Sequence, residues 1–257
     1  MSAAEKLPPP EEDEKLAEGT LISHLLELRS RILRSFAAVG VVFLALAPFA
    51  TRVFELVAAP LRAVLPGDMI VTGVAAPFLT PFKTTFFVAL FIAMPVVLHQ
   101  LWRFVAPALY RREKRLAVPL LASSIVLFYA GLAFAYFVVF PIMFKFFVGT
   151  TPAGVAMMTD ISSYFDFVLT MFLAFGIVFE TPIATVLLVW SGICTTQSLT
   201  AARAYVFLGA FVVGMLLATD AFSMTLMAIP MYLLYEGGLL FARFLFPQQP
   251  AAEDAEA

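Results

Sequence analysis

The feature that most limits this chain is the length of its uncharged apolar runs. Between Arg34 and Arg52 there are 17 residues without a charge, between Lys83 and Arg103 there are 19, and between Arg115 and Lys145 there are 29. A hydrocarbon core about 30 Å thick takes about 20 apolar residues as helix, because in lipid every backbone polar group has to be bonded within its own segment. The runs predict membrane-spanning helices over about 33–51, 84–102 and 118–141. A fourth span, over about 162–188, carries Glu180, a side chain costly enough in lipid that it has to face protein or water.

The remaining apolar stretch, from Ala204 to Tyr235, is interrupted only by Asp220, with 16 uncharged residues before it and 15 after. Two short helices, 204–218 and 221–241, folded as a hairpin around Thr219 and Asp220 give six spans and put both termini on one side. One long tilted helix gives five spans and separates the termini. Under six spans, one side holds twelve Lys and Arg (Lys6, Lys15, Arg29, Arg31, Arg34, five in 103–115, Arg203 and Arg243) and the other holds four (Arg52, Arg62, Lys83 and Lys145). The excess makes the N-terminus cytoplasmic.

Residues 1–19 are rich in Pro, Glu and Lys and lack the apolar core of a secretory signal, so a disordered cytoplasmic tail is expected there, with an acidic disordered tail at 247–257. The membrane domain is then 20–246. A loop of about thirty residues with Pro60, Pro66 and Pro77 separates the first two spans; too long for a simple turn, it is expected to form an ordered cap on the external face, as is 146–161.

With 62% hydrophobic and 13% charged residues the chain is no soluble domain, and a net charge of −2 favours neither nucleic acid nor a polyanion. A single cysteine, Cys194, excludes an internal disulfide, and two histidines, His24 and His99, do not make zinc-ligand spacing. No cofactor is implied. Nothing pairs a nucleophile with a base, so an enzyme is not expected. A secondary transporter or channel built around the intramembrane acid is the main alternative function.

Residues 20–34, TLISHLLELRSRILR, have apolar side chains at 21, 25, 28 and 32 and polar ones at 24, 27, 31 and 34, the pattern of an amphipathic helix. It reads either as a membrane-surface helix with Glu27 and Arg31 as an i,i+4 pair, or as part of a binding face. In the second cytoplasmic segment, Glu113 stands among Arg111, Arg112, Lys114 and Arg115. Two carboxylates in otherwise basic segments, beside aromatics expected to be exposed such as Trp102 and Phe104, suit bidentate capture of guanidinium groups.

At these residues the chain resembles the TatC family, signal-peptide receptors of the twin-arginine protein translocase. The resemblance runs from about Leu21 to Phe244: HLLELRSRI at 24–32, PFLTPFK at 77–83, LWRFVAPALYRREKR at 101–115, FYAGLAFAYFVVFP at 128–141, FGIVFETP at 175–182, RAYVFLGAFVVGMLL at 203–217 and AIPMYLLYEGG at 228–238. It implies an all-α, six-span, concave, glove-like bundle in the cytoplasmic membrane. It also implies a signal-peptide site of Glu27, Arg29, Phe104 and Glu113, the two acids accepting the arginines. Further residues of structural or cavity importance under the resemblance are Glu180, Asp220, Lys83, Pro60 and Tyr136. The implied partners are single-span TatA- and TatB-like subunits and other copies of the chain, exporting folded cargo with the proton motive force.

One departure stands out. Where the family commonly reads Thr-Pro-Pro-Asp between the last two spans, this chain has Ala218-Thr219-Asp220 without either proline. Prolines stop a helix, so their loss weakens the case for a tight hairpin and raises the single-helix alternative to the six-span reading. Met224 stands where some relatives carry glutamine.

Overall fold

The computed structural model describes residues 10–62, 69–109, 114–152, 154–155, 158–218 and 220–246, with 10–24, 60–61, 105–109 and 114–117 described as backbone only. Helix α1 (Pro10–Leu46) starts ten residues ahead of the amphipathic run, inside the stretch read from composition as a tail. It passes through a 3-10 turn at Ala47–Phe49 into α2 (Ala50–Arg62). Ala50, Val53, Phe54 and Ala58 of α2 are buried while Arg52, Glu55 and Leu56 are exposed. That helical spacing makes α2 an amphipathic cap, packed on α3 (Ala76–Leu109) and on α5 (Phe140–Thr150).

Among the described residues five helical stretches are long and apolar enough to cross a membrane: Leu25–Ala59, Ala76–Phe104, Val118–Thr150, Ile161–Trp190 and Ala221–Leu245. The sixth, α9 (Arg203–Leu217), has 15 residues and so spans about 22 Å. Together with α10 (Ala221–Leu245) it forms the hairpin of the six-span reading, not the single long helix weighed against it. Ala218 and Asp220 are both extended, and the Asp220 carboxylate accepts from the Ser223 N–H at 2.8 Å. An aspartate N-cap thus marks the start of α10 where no proline stops α9. Gly214 lets the two helices close up, since a Cβ there would lie 2.9 Å from the Met224 carbonyl oxygen.

Two spans are broken by prolines. The stretch 118–150 passes from α4 (Lys114–Phe134) through a π turn at Ala135–Val139 into α5. Pro141 offers no N–H to the Phe137 carbonyl, and the widened turn absorbs the mismatch. The span expected as one helix over 162–188 is instead α6 (Ile161–Val178) and α7 (Thr181–Trp190), with Phe179 and Glu180 at the break. Pro182, which cannot donate to Val178, sits in the first turn of α7. Short α8 (Thr196–Ala201) links α7 to α9 on the inner side.

Between helices in lipid the hydrophobic effect supplies little, so close packing has to hold the bundle. A Cβ on Gly131 of α4 would lie 2.5 Å from the Phe175 carbonyl oxygen, and one on Gly176 of α6 would lie 2.5 Å from the Phe128 ring. Phe128, Phe165 and Phe175 are fully buried around this contact. Phe54 stacks on Phe165 at 4.4 Å, drawing the cap helix onto the same core.

On the external side the two expected caps are laced together. Ile70 N–H donates to the Thr159 carbonyl, and Ile161 N–H to the Ile70 carbonyl, each at 3.0 Å. The Asp160 carboxylate accepts from the N–H groups of Ser162 and Ser163 at 3.0 Å, capping α6, and from the N–H and hydroxyl of Thr72 at 3.0 and 2.7 Å. The Ser163 N–H, followed by the Thr72 hydroxyl, holds its pKa down at about 2.

Gly131→Ala should lower stability by about 1–3 kcal/mol through overpacking, whereas Gly237→Ala, where a Cβ meets nothing within 4 Å, should cost nothing; thermal unfolding in detergent compares them. Because Asp160 is held below its unfolded pKa, its contribution is complete above the ordinary carboxylate range and is lost only as pH falls towards about 2. Amide exchange at Thr72 and Ser163 should stay protected from neutral pH down to about 4, and Asp160→Asn should remove the loss below that.

Candidate functional site

At the inner end of α1, Arg31 donates through Nε to Glu27 Oε1 at 3.1 Å and through Nη2 to the same oxygen. The pair is the i,i+4 arrangement the sequence suggested. Its two members differ in setting: the Arg31 side chain is 11% exposed and that of Glu27 37%. Arg31 turns towards α3, where it lines a cavity of about 310 Å³ with Leu28, Phe36, Gln100, Leu101 and Phe104. Arg31 Nη1 and Gln100 Oε1 are buried there without hydrogen-bond partners among the described residues. One spare donor and one spare acceptor thus border a largely apolar hollow.

Glu27, Arg31 and Phe104 are brought to this inner rim. Arg29 is exposed and does not line the cavity. Glu113 lies outside the described residues, with Arg111 and Arg112. Trp102, expected to be exposed, is instead 9% exposed and packs against Leu120, Ile183, Val186 and Ala242. Two positions from Phe104 on a helix is the opposite face, and on α3 that face looks into the bundle.

Glu180, at the break between α6 and α7, accepts from the Ser124 hydroxyl of α4 through Oε2, while Oε1 is buried without a partner. It lines a second hollow of about 170 Å³ with Leu98, Leu101, Trp102, Ser124 and Leu187. Leu101 borders both hollows, so they lie on either side of the inner half of α3.

The other residues singled out from the sequence lie elsewhere. Lys83 of α3 pairs with Asp166 of α6 at 2.5 Å, both about half exposed, towards the outer side. Asp220 caps α10 at that side. Tyr136 lies in the π turn, its ring parallel to that of Phe172 at 6.4 Å. Pro60 lies in α2, and its side chain is outside the described residues. Sequence reasoning passed over Ser124, although a Ser-Ser pair in an apolar span was a visible signal. It also passed over the α9–α10 network in which Arg203 Nη2 and the Tyr232 hydroxyl both donate to Glu236, at 2.6 and 3.0 Å. Among the described residues no group of three or more His, Cys, Asp or Glu is placed to hold a metal ion.

A multi-pass helical bundle with an acid on its cytoplasmic rim and a second acid within the membrane is a transport-class membrane protein. Residues 23–230 match the family model of the Sec-independent protein translocase protein TatC, and the TatC protein of Azotobacter chroococcum mcd 1 is 59% identical over 238 residues, covering 91% of this chain and 93% of that protein. The chain belongs to the TatC family. It is a non-catalytic core subunit of the twin-arginine translocase, multi-pass in the inner membrane, with the glove-like fold of that family. The TatC protein of Escherichia coli (strain K12) is 56% identical over 227 residues, 87% of this chain and 88% of that protein. A crystal structure of the twin arginine translocase receptor TatC superposes with a TM-score of 0.78 at 39% identity, covering 86% of this chain and 98% of that one.

Ser124→Ala should leave both Glu180 oxygens without a donor and lower stability by about 1–3 kcal/mol. Glu180→Gln, which keeps an acceptor for Ser124, should be the milder change, and thermal unfolding in detergent measures both.

Proposed function

We propose that the inner rim reads the twin-arginine signal peptide of folded cargo, with Glu27 and Glu113 accepting the two guanidinium groups and Arg29 and Phe104 flanking them. The observation that carries this reading is the Glu27 carboxylate. It is more than a third exposed and is already held by an arginine of its own helix. Both Arg31 nitrogens that hold Glu27 converge on one carboxylate oxygen, whereas a guanidinium arriving face-on makes two parallel charge-assisted bonds. The apolar part of the peptide then has the hollow between α1 and α3 beside it, and the unpaired Arg31 Nη1 and Gln100 Oε1 supply polar contacts to its backbone.

On this reading the captured peptide passes cargo to an assembly with TatA- and TatB-like single-span subunits and further copies of the chain, and export is driven by the proton motive force. Exposed apolar residues of α9 such as Leu208, Val212 and Met215 support the assembly, since a helix of about 22 Å is shorter than the hydrocarbon and gains from a covering neighbour.

A photoreactive twin-arginine peptide should label 20–34 and 103–115. Replacing Glu27 by Gln should weaken capture about tenfold, the loss of one charge-assisted fork, and replacing both arginines of the peptide by lysines should weaken it further. Equal binding of the lysine peptide would overturn the guanidinium assignment.

A further inference from the structure

A third and larger hollow, of about 490 Å³, opens at the inner end of the last helix, remote from both acids, and is lined by Thr196, Gln197 and Thr200 of α8 with Arg243 and Phe246. Arg243 is in the last turn of α10. Its Nη2 donates to the Thr200 hydroxyl oxygen at 2.6 Å, while the Thr200 hydroxyl itself donates to the Thr196 carbonyl at 2.6 Å. The hydroxyl proton is thus committed to the helix and its lone pair aims the guanidinium. A guanidinium carries five N–H donors, so most of its fork is left for the hollow.

The charges around it leave Arg243 without an anion among the described residues. The one carboxylate of α10, Glu236, lies two turns deeper and is occupied by Arg203 and Tyr232. Among the described residues no acid lines the hollow. Beside it, Leu240, Phe241 and Phe244 of α10 are exposed, Phe244 at 81%. In a chain whose last helix ends at the cytoplasmic surface, a cation, neutral hydrogen-bonding groups and an uncovered apolar flank meet at the depth of the inner-leaflet headgroups.

We propose that the hollow between α8 and the end of α10 binds an anionic phospholipid of the inner leaflet, its phosphate on Arg243, its headgroup hydroxyls towards Gln197, and its acyl chains along Leu240, Phe241 and Phe244. Volumes of this order suit a single small ligand. The lipid would brace the α9–α10 hairpin at the end opposite the Asp220 cap.

The test uses the full chain in detergent, titrated with phosphatidylglycerol or phosphatidylcholine and read by native mass spectrometry. Phosphatidylglycerol should be retained as one tightly held molecule per chain, in preference to phosphatidylcholine. Arg243→Gln should weaken retention about tenfold. Gln197→Glu, a change at an exposed position that introduces repulsion without touching the packing, should weaken it too. Equal retention by both variants and the native chain would overturn the site, as would equal retention of the two lipids. Displacement by millimolar inorganic phosphate would make it a free-phosphate site, and a chain ending at Phe246 that binds lipid where the full chain does not would make the acidic stretch 247–257 the occupant. Either result would refute the lipid.

Discussion

Close approach at glycine, where a neighbour's backbone or ring takes the place of a Cβ, is the contact on which the rest of this bundle depends. Lipid tails solvate leucine as well as another helix does, so side-chain hydrophobicity cannot choose which helices pair. Gly131 against Phe175 and Gly176 against Phe128 bring α4 onto α6, and Gly238 against Pro182 brings α10 onto α7. These approaches set where every polar group in the membrane ends up. Ser124 reaches Glu180 only because α4 and α6 are close, and Arg203 reaches Glu236 only because α9 and α10 are.

The spans were legible because hydrocarbon excludes charge. Arg34, Arg52, Lys83, Arg103, Arg115 and Lys145 punctuate the chain where the helices approach the interfaces, and the distribution of cations between the two sides fixed the orientation. Breaks within spans were less legible. Pro182 marked the interruption at Glu180, but a proline in a transmembrane helix is compatible with a kink as well as a stop. The final reversal was hidden for another reason: the usual prolines are missing, and an aspartate cap does their work by accepting the Ser223 N–H. Helix α2 was read as loop because Arg52, Glu55 and Arg62, on its exposed face, break the run of apolar residues along the sequence.

The inner rim was half legible. Spacing alone pairs Glu27 with Arg31, yet nothing local says that Arg31 turns inward to share a hollow with Gln100 and Phe104, since that requires knowing which face of α3 meets α1. The same ignorance placed Trp102 at the surface when it lies in the core. Across 56 positions, the Ser124 bond to Glu180 is likewise a product of packing. In physical terms, what repeats along a helix can be read from the chain, and what depends on helix rotation about its axis cannot.

The lacing of Ile70, Thr72 and Asp160 has a consequence for where such a protein can live. Cytosol is buffered by metabolism, but the opposite surface of the membrane meets whatever acidity the surroundings impose. A fastening whose carboxylate has its pKa held down at about 2 keeps the Ile70–Thr72 edge tied to the start of α6 when the pH outside falls.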